Sequence, residues 1–159
     1  MAKKKTIIFL VAVILIVVLS VAIWEFFLRE AFSSDESTEY SISISYYGTE
    51  RRKIRMSELQ GLPEVSYEDV LGSGAIDNGP LVRDVILLRV NPSELSNDTM
   101  ILIRSSLTLQ ERTLNWEELR NESKSYIFDF TKRGTVKFTS PDTPKNQRVK
   151  DVTYIEVGV

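Results

Sequence analysis

Thr6 to Trp24 reads TIIFLVAVILIVVLSVAIW, nineteen residues without a charge. Built as a helix, the run would be about 28 Å long, close to the hydrocarbon thickness of a bilayer. A secretory leader carries a shorter apolar region, about 7–15 residues, followed by a small-x-small cleavage site. Ser20-Val21-Ala22 meets that spacing, but bulky Ile23 and Trp24 follow it at once. A buried core helix fits poorly too, because the run is apolar on every face. The segment is therefore expected to be retained as one N-terminal transmembrane anchor over residues 6–28.

Charge sets the expected orientation. Lys3, Lys4 and Lys5 precede the run, whereas Glu25, Arg29 and Glu30 follow it. Positive charge stays on the cytoplasmic side. The basic tail 1–5 is thus expected inside a cell membrane crossed once, and the rest of the chain outside it. Residues 29–39 hold the acidic stretch SSDESTE and are expected to act as a linker. The chain has a formal charge of −2, and −5 once the three lysines are set aside. Such a balance argues against nucleic acid as a partner, since that contact needs a basic surface to displace counterions. The expected partners are the bilayer, through residues 6–28, and another membrane or extracytoplasmic protein.

Residues 40–159 have the size of one domain, and with no cysteine in the chain no disulfide can staple it. The stretch YSISISYY alternates at period two, and Gly48-Thr49 separates it from RRKIRM, which predicts a hairpin. Ser57-Glu58-Leu59-Gln60 predicts a capped short helix ending before Pro63. Ser66-Tyr67-Glu68-Asp69 predicts another helical turn, closed by Gly72. LVRDVILLRV has the spacing of a helix, whereas TMILIRSS and LTLQERTL read as strands. Asn115 is placed to cap a helix through Trp116 and Leu119, with Glu118 at the reciprocal capping position. SYIFDF and TVKFTS flank Thr131-Lys132-Arg133-Gly134 as a second hairpin, and VKDVTYIEVGV closes the chain as a strand. The expected fold is a β-dominated α+β domain with short helices.

The chemistry available is narrow. The chain has no histidine and no cysteine, which removes Ser-His-Asp and Cys-His catalysis, thiolate metal sites and iron–sulfur ligation. The stretch GSGAIDNG places Gly72 and Gly74 like the first two glycines of a dinucleotide fingerprint, but Asp77 holds the third position, and a plain loop is expected. No catalytic residue, metal or cofactor is expected, and an interaction module is the fitting class. Arg51, Arg52, Lys53 and Arg55 form the densest basic cluster outside the tail, next to Tyr46 and Tyr47. Tyrosine and arginine are favoured at interfaces, which makes these six the candidate contact surface. A bland alternative is an edge strand whose charges discourage aggregation. Asn97-Asp98-Thr99 and Asn121-Glu122-Ser123 are glycosylation sequons.

Several short motifs occur in a suggestive order: Leu59, Leu62 and Pro63, then Asp84 with Leu87 and Leu88, then Glu118-Leu119, and finally Ile155-Glu156-Val157. In that order residues 40–159 resemble the molybdopterin-binding domain of the sulfite oxidase family. The resemblance implies that fold, and for catalytic members a molybdenum held by a cysteine thiolate. Here no cysteine exists, and Asn78-Gly79-Pro80-Leu81 replaces the aromatic-Gly-Val that usually opens the family's helix. Two expectations follow. One is a membrane-anchored, extracytoplasmic binding or accessory module without catalysis, serving as a subunit of a membrane complex. The other is an oxidoreductase-like protein that holds a pterin without a cysteine ligand.

Overall fold

A computed structural model describes residues 39–159. The basic tail, the expected anchor and all of the linker but Glu39 lie outside the described residues. Among those described, no helix is long and apolar enough to cross a membrane.

Ten short strands and three short α-helices make up the described chain, so the β-dominated α+β class holds. Strand β1 (Ser41–Tyr46) is followed by β2 (Thr49–Glu50), β3 (Ile54–Arg55) and helix α1 (Met56–Gln60). Next come β4 (Glu64–Glu68), β5 (Ile76–Pro80) and α2 (Val82–Leu87). Then β6 (Met100–Arg104), β7 (Glu111–Asn115) and α3 (Trp116–Arg120) lead to β8 (Ile127–Phe130), β9 (Val136–Thr139) and β10 (Tyr154–Val157). The main sheet runs β2-β1-β10-β6-β7, with β3 also paired to β1. The last strand enters parallel to the first, Ile44 opposite Ile155, and pairs antiparallel with β6 on its other side.

Period-two alternation explains the two faces of this sheet. Ile42, Ile44, Ile101, Ile103, Ile155 and Val157 point to the core and are fully buried. Their neighbours Ser43, Leu102, Arg104, Tyr154 and Glu156 stand on the other face. The core side is covered by Leu59 of α1, Val85 and Ile86 of α2, Leu119 of α3, and Phe128 and Phe138 of the β8–β9 hairpin. Burying each such aliphatic or aromatic side chain stabilises the fold by about 1.5–3 kcal/mol.

Hairpins β4–β5 and β8–β9 lie side by side. Gly79 lets them approach, because a Cβ there would sit 1.9 Å from the Phe128 carbonyl oxygen. The Asn78 amide donates to Asp129 Oδ1 at 2.9 Å across the same seam.

Four local expectations are corrected. Residues 66–69 do not start a helix: Ser66, Tyr67 and Glu68 belong to β4, and Asp69 opens the turn to β5. Only the first part of GSGAIDNG is a loop, since Ile76 to Gly79 lie in β5. The N-cap of α1 is Arg55, not Ser57, and its amide donates to Glu58 Oε2 at 3.0 Å. In the stretch LTLQERTL, residues 107–110 form a turn and only the remainder is strand. Elsewhere local signals hold. Asn115 Oδ1 accepts from the Glu118 amide at 2.7 Å, and Gly134 takes φ 75 in the β8–β9 turn.

Candidate functional site

The β1–β2 connection is two residues long, Tyr47-Gly48, with Tyr46 opposite Thr49. Both turn residues have positive φ, 46 for Tyr47 and 73 for Gly48. That is the geometry of a tight primed hairpin turn, whose first position ordinarily favours Asn, Asp or Gly. An aromatic residue there is an outlier that costs free energy. Tyr47 is nevertheless held: its amide donates to the Val157 carbonyl at 2.8 Å. Its ring lies against Gly158, where a Cβ would come within 2.7 Å of it. The ring stays 62 % exposed.

Tyr46 meets Tyr47 edge-to-face, ring centroids 4.7 Å apart. The Arg51 guanidinium sits 5.3 Å from the Tyr46 centroid and reaches Glu94 Oε1 at 3.5 Å. The Tyr46 hydroxyl donates to the Glu94 backbone carbonyl at 2.9 Å. Desolvation first, and then the Glu94 carboxylate, raise the Tyr46 hydroxyl above the ordinary phenol value. Arg51 Nε is shielded from solvent without a hydrogen-bond partner among the described residues.

The structure brings together Tyr46, Tyr47 and Arg51. Among the described residues no such contact links the other three cations to these rings, and Arg89 holds the backbone that carries two of them. Arg51, Arg52 and Lys53 lie in the link between β2 and β3 rather than in a strand, so the edge-strand alternative holds only for Arg55. This link is fastened by Arg89, the residue two past α2. Its Nε donates to the Arg52 carbonyl at 2.8 Å, and its Nη2 to the Lys53 carbonyl at 3.0 Å and to Glu58 Oε1 at 2.6 Å. The Arg89 hydrogen bond, followed by the Arg55 amide, holds the Glu58 carboxyl below its ordinary range. Arg52, Lys53 and Arg55 point their own side chains to solvent. Arg89 thus fixes the backbone of the link, while Arg52, Lys53 and Arg55 remain exposed.

A second polar assembly was not legible in the sequence. Asp69 and Arg148 form a buried bidentate pair, and Arg148 Nε also donates to the Thr143 carbonyl at 3.0 Å. Nearby, Lys137 Nζ reaches Asp77 Oδ1 at 2.9 Å and Asp129 Oδ2 at 3.1 Å. Tyr67 donates to Thr139 Oγ1 at 2.9 Å. The Arg148 guanidinium holds the Asp69 carboxyl down at about 2, and burial pushes the Tyr67 hydroxyl far up. These groups fasten the two hairpins, although Asp77 Oδ2 is buried without a hydrogen-bond partner among the described residues. Among the described residues, no group of three or more acidic side chains could hold a metal ion. The sequon residues Asn97 and Asn121 are both exposed.

No protein-family model matches the chain, and no curated protein matches it either.

Proposed function

We propose that the chain is a single-pass, membrane-anchored binding or accessory module without catalytic activity, and that it works outside the cytoplasm as part of a membrane complex. Residues 6–28 would be its tether, and another membrane or extracytoplasmic protein its partner. The contact surface would combine Tyr46 and Tyr47 with Arg51, Arg52, Lys53 and Arg55. One observation carries this reading: an exposed Tyr47 held at positive φ beside a guanidinium already stacked on Tyr46. Pre-placed tyrosine and arginine side chains lose little entropy on binding and dominate interface energetics. The uncharged run Thr6–Trp24 supports tethering rather than transport, because it contains no ionisable residue for an ion or proton path.

The pterin resemblance does not extend to the chemistry of the donor set. No side chain in the sequence can offer a thiolate or an imidazole to molybdenum, and the residues present do not fit that group as catalytic relatives hold it.

Two measurements test the proposal. Protease added outside intact cells should digest residues 40–159, whereas protection until lysis would place the domain inside. Replacing Arg51, Arg52 and Lys53 together with Ser should abolish co-purification of the partner while circular dichroism is unchanged. Undiminished recovery with an intact fold would assign those cations to solvation alone.

A further inference from the structure

On the sheet face that points away from the core, Ser43, Tyr154, Arg104 and Glu111 stand in one register row across β1, β10, β6 and β7. The Arg104 guanidinium carbon lies 4.5 Å from the Tyr154 ring centroid. The Tyr154 hydroxyl is itself pinned 2.6 Å from Ser45 Oγ. The contact holds the guanidinium over the ring, and a guanidinium so placed can still donate from its N–H edges. Among the described residues Arg104 makes no ion pair, although Glu111 is its cross-strand neighbour.

The turn between β6 and β7 raises a wall beside this row. Ser105 Oγ accepts from the amides of Leu107 and Thr108 at 3.3 and 3.2 Å. The Ser106 amide donates to Thr153 Oγ1 at 2.9 Å, and the Lys150 amide to Gln110 Oε1 at 3.0 Å. Leu109 completes the turn at φ 55, a left-handed conformation that costs a branched side chain free energy. Wall and row border an open groove of about 560 Å³, within the size range of small-ligand sites.

Its chemistry is specific in one respect: a free guanidinium and a carboxylate face the same space, with the hydroxyls of Ser43 and Thr153 beside them. A phosphate dianion would meet repulsion from Glu111, and a simple cation would meet Arg104. A molecule that joins a carboxylate to a neighbouring O–H or N–H donor satisfies both, with the carboxylate forked onto Arg104 and the donor turned to Glu111. We propose that this groove binds a small hydroxy acid or amino acid through Arg104, Tyr154 and Glu111. Ser43 and Ser45 point to the opposite face from Tyr46 by strand alternation, so the groove stands or falls apart from the partner surface.

The test uses the full chain in detergent, titrated separately with lactate, glycine and inorganic phosphate, with backbone amide NMR shifts as the readout. Lactate or glycine should give saturable shifts at residues 104–111 and 153–154 at millimolar concentration, with the amides of α2 unmoved. In Arg104→Gln the affinity should fall about tenfold or more, the loss of roughly 1.4 kcal/mol that one charge-assisted contact supplies. Glu111→Gln should retain carboxylate binding and gain affinity for phosphate. No saturable shift with lactate or glycine would overturn the site, as would an undiminished affinity in a folded Arg104→Gln. Phosphate binding as tight as that of lactate and glycine to the unsubstituted chain would overturn the ligand class. If Arg104→Gln fails to fold, an unchanged phosphate preference in Glu111→Gln would overturn the assignment on its own.

Discussion

Arg148 and Asp69 lie 79 residues apart in sequence and meet through two hydrogen bonds, Nη1 to Oδ2 at 2.6 Å and Nη2 to Oδ1 at 2.5 Å. Their side chains are 6 % and 2 % exposed. Breaking such a pair from one side strands the other charge, which costs about 3–5 kcal/mol. Arg148→Met alone should therefore destabilise the domain by that amount in urea denaturation. The double variant Arg148→Met/Asp69→Leu should recover part of the loss, since it removes both charges but leaves the Thr143 carbonyl and the Ser73 amide without their side-chain partners. A double variant no more stable than Arg148→Met would show that the pair is not a closed unit.

The same pair predicts an acid limb. Arg148 lowers the folded-state pKa of Asp69 to about 2, from an ordinary value of 3.8. A depressed carboxyl adds stability that is complete above the unfolded value and lost as pH falls through the folded one. Stability should accordingly decline between pH of about 4 and 2, and Asp69→Asn should lose most of that decline. Chemical denaturation at a series of pH values measures it, and an unchanged acid slope in Asp69→Asn would assign the effect to other carboxylates.

Gly79 is predicted to be irreplaceable for a steric reason rather than a torsional one. A Cβ at this position would press on the Phe128 carbonyl oxygen and the Asp129 Cα. Gly79→Ala should cost about 1–3 kcal/mol, the usual range for overpacking, because both obstacles are backbone and the hairpins must move apart. Thermal melts would register the loss, and an Ala variant as stable as the parent would show that the seam is slack.

Arg89 offers a test of the clamp on the basic link. Its guanidinium satisfies three backbone carbonyls, those of Arg52, Lys53 and Leu88, and Glu58, while only 13 % exposed. Arg89→Ala should destabilise the domain by about 1.5–3 kcal/mol, the scale of hydrogen bonds to a charged group. Amide exchange should accelerate at residues 52–56 before it does in the central strands. Uniform acceleration would mean that Arg89 supports the whole domain and not this link.

Tyr47 separates stability from binding. Asn accepts positive φ more readily, so Tyr47→Asn should relieve turn strain while losing ring contact with Tyr46 and Gly158. The net stability change should stay within about 1 kcal/mol. Partner recovery should nonetheless fall. Retained recovery would exclude the aromatic pair from the contact surface.

Much of the domain could be read from short windows. The alternation in YSISISYY placed Ile42 and Ile44 inward, the spacing of Leu81, Val85 and Leu88 with the pair Val82 and Ile86 marked α2, and Asn115 and Gly134 marked a cap and a turn. Each of these is decided by hydrogen bonds or side-chain phase within a few residues. Of the candidate surface, the sequence showed composition and proximity for Tyr46, Tyr47 and Arg51. It could not show that Arg89 holds the backbone of Arg52 and Lys53.

What the tertiary structure decided is where side chains find partners once the chain has returned on itself. Tyr67 and Asp69 have a helix-start pattern locally, yet both lie along β4 and its turn because Thr139 and Arg148 receive them from distant segments. Glu118 sits at a capping position, but its carboxylate accepts from the Tyr126 hydroxyl at 2.7 Å and pairs with Lys124 at 3.2 Å. The parallel contact of β10 with β1 likewise joins the two ends of the domain. Period and propensity act over one or two turns of chain, whereas a buried charge or a row across four strands depends on which segments the core draws together.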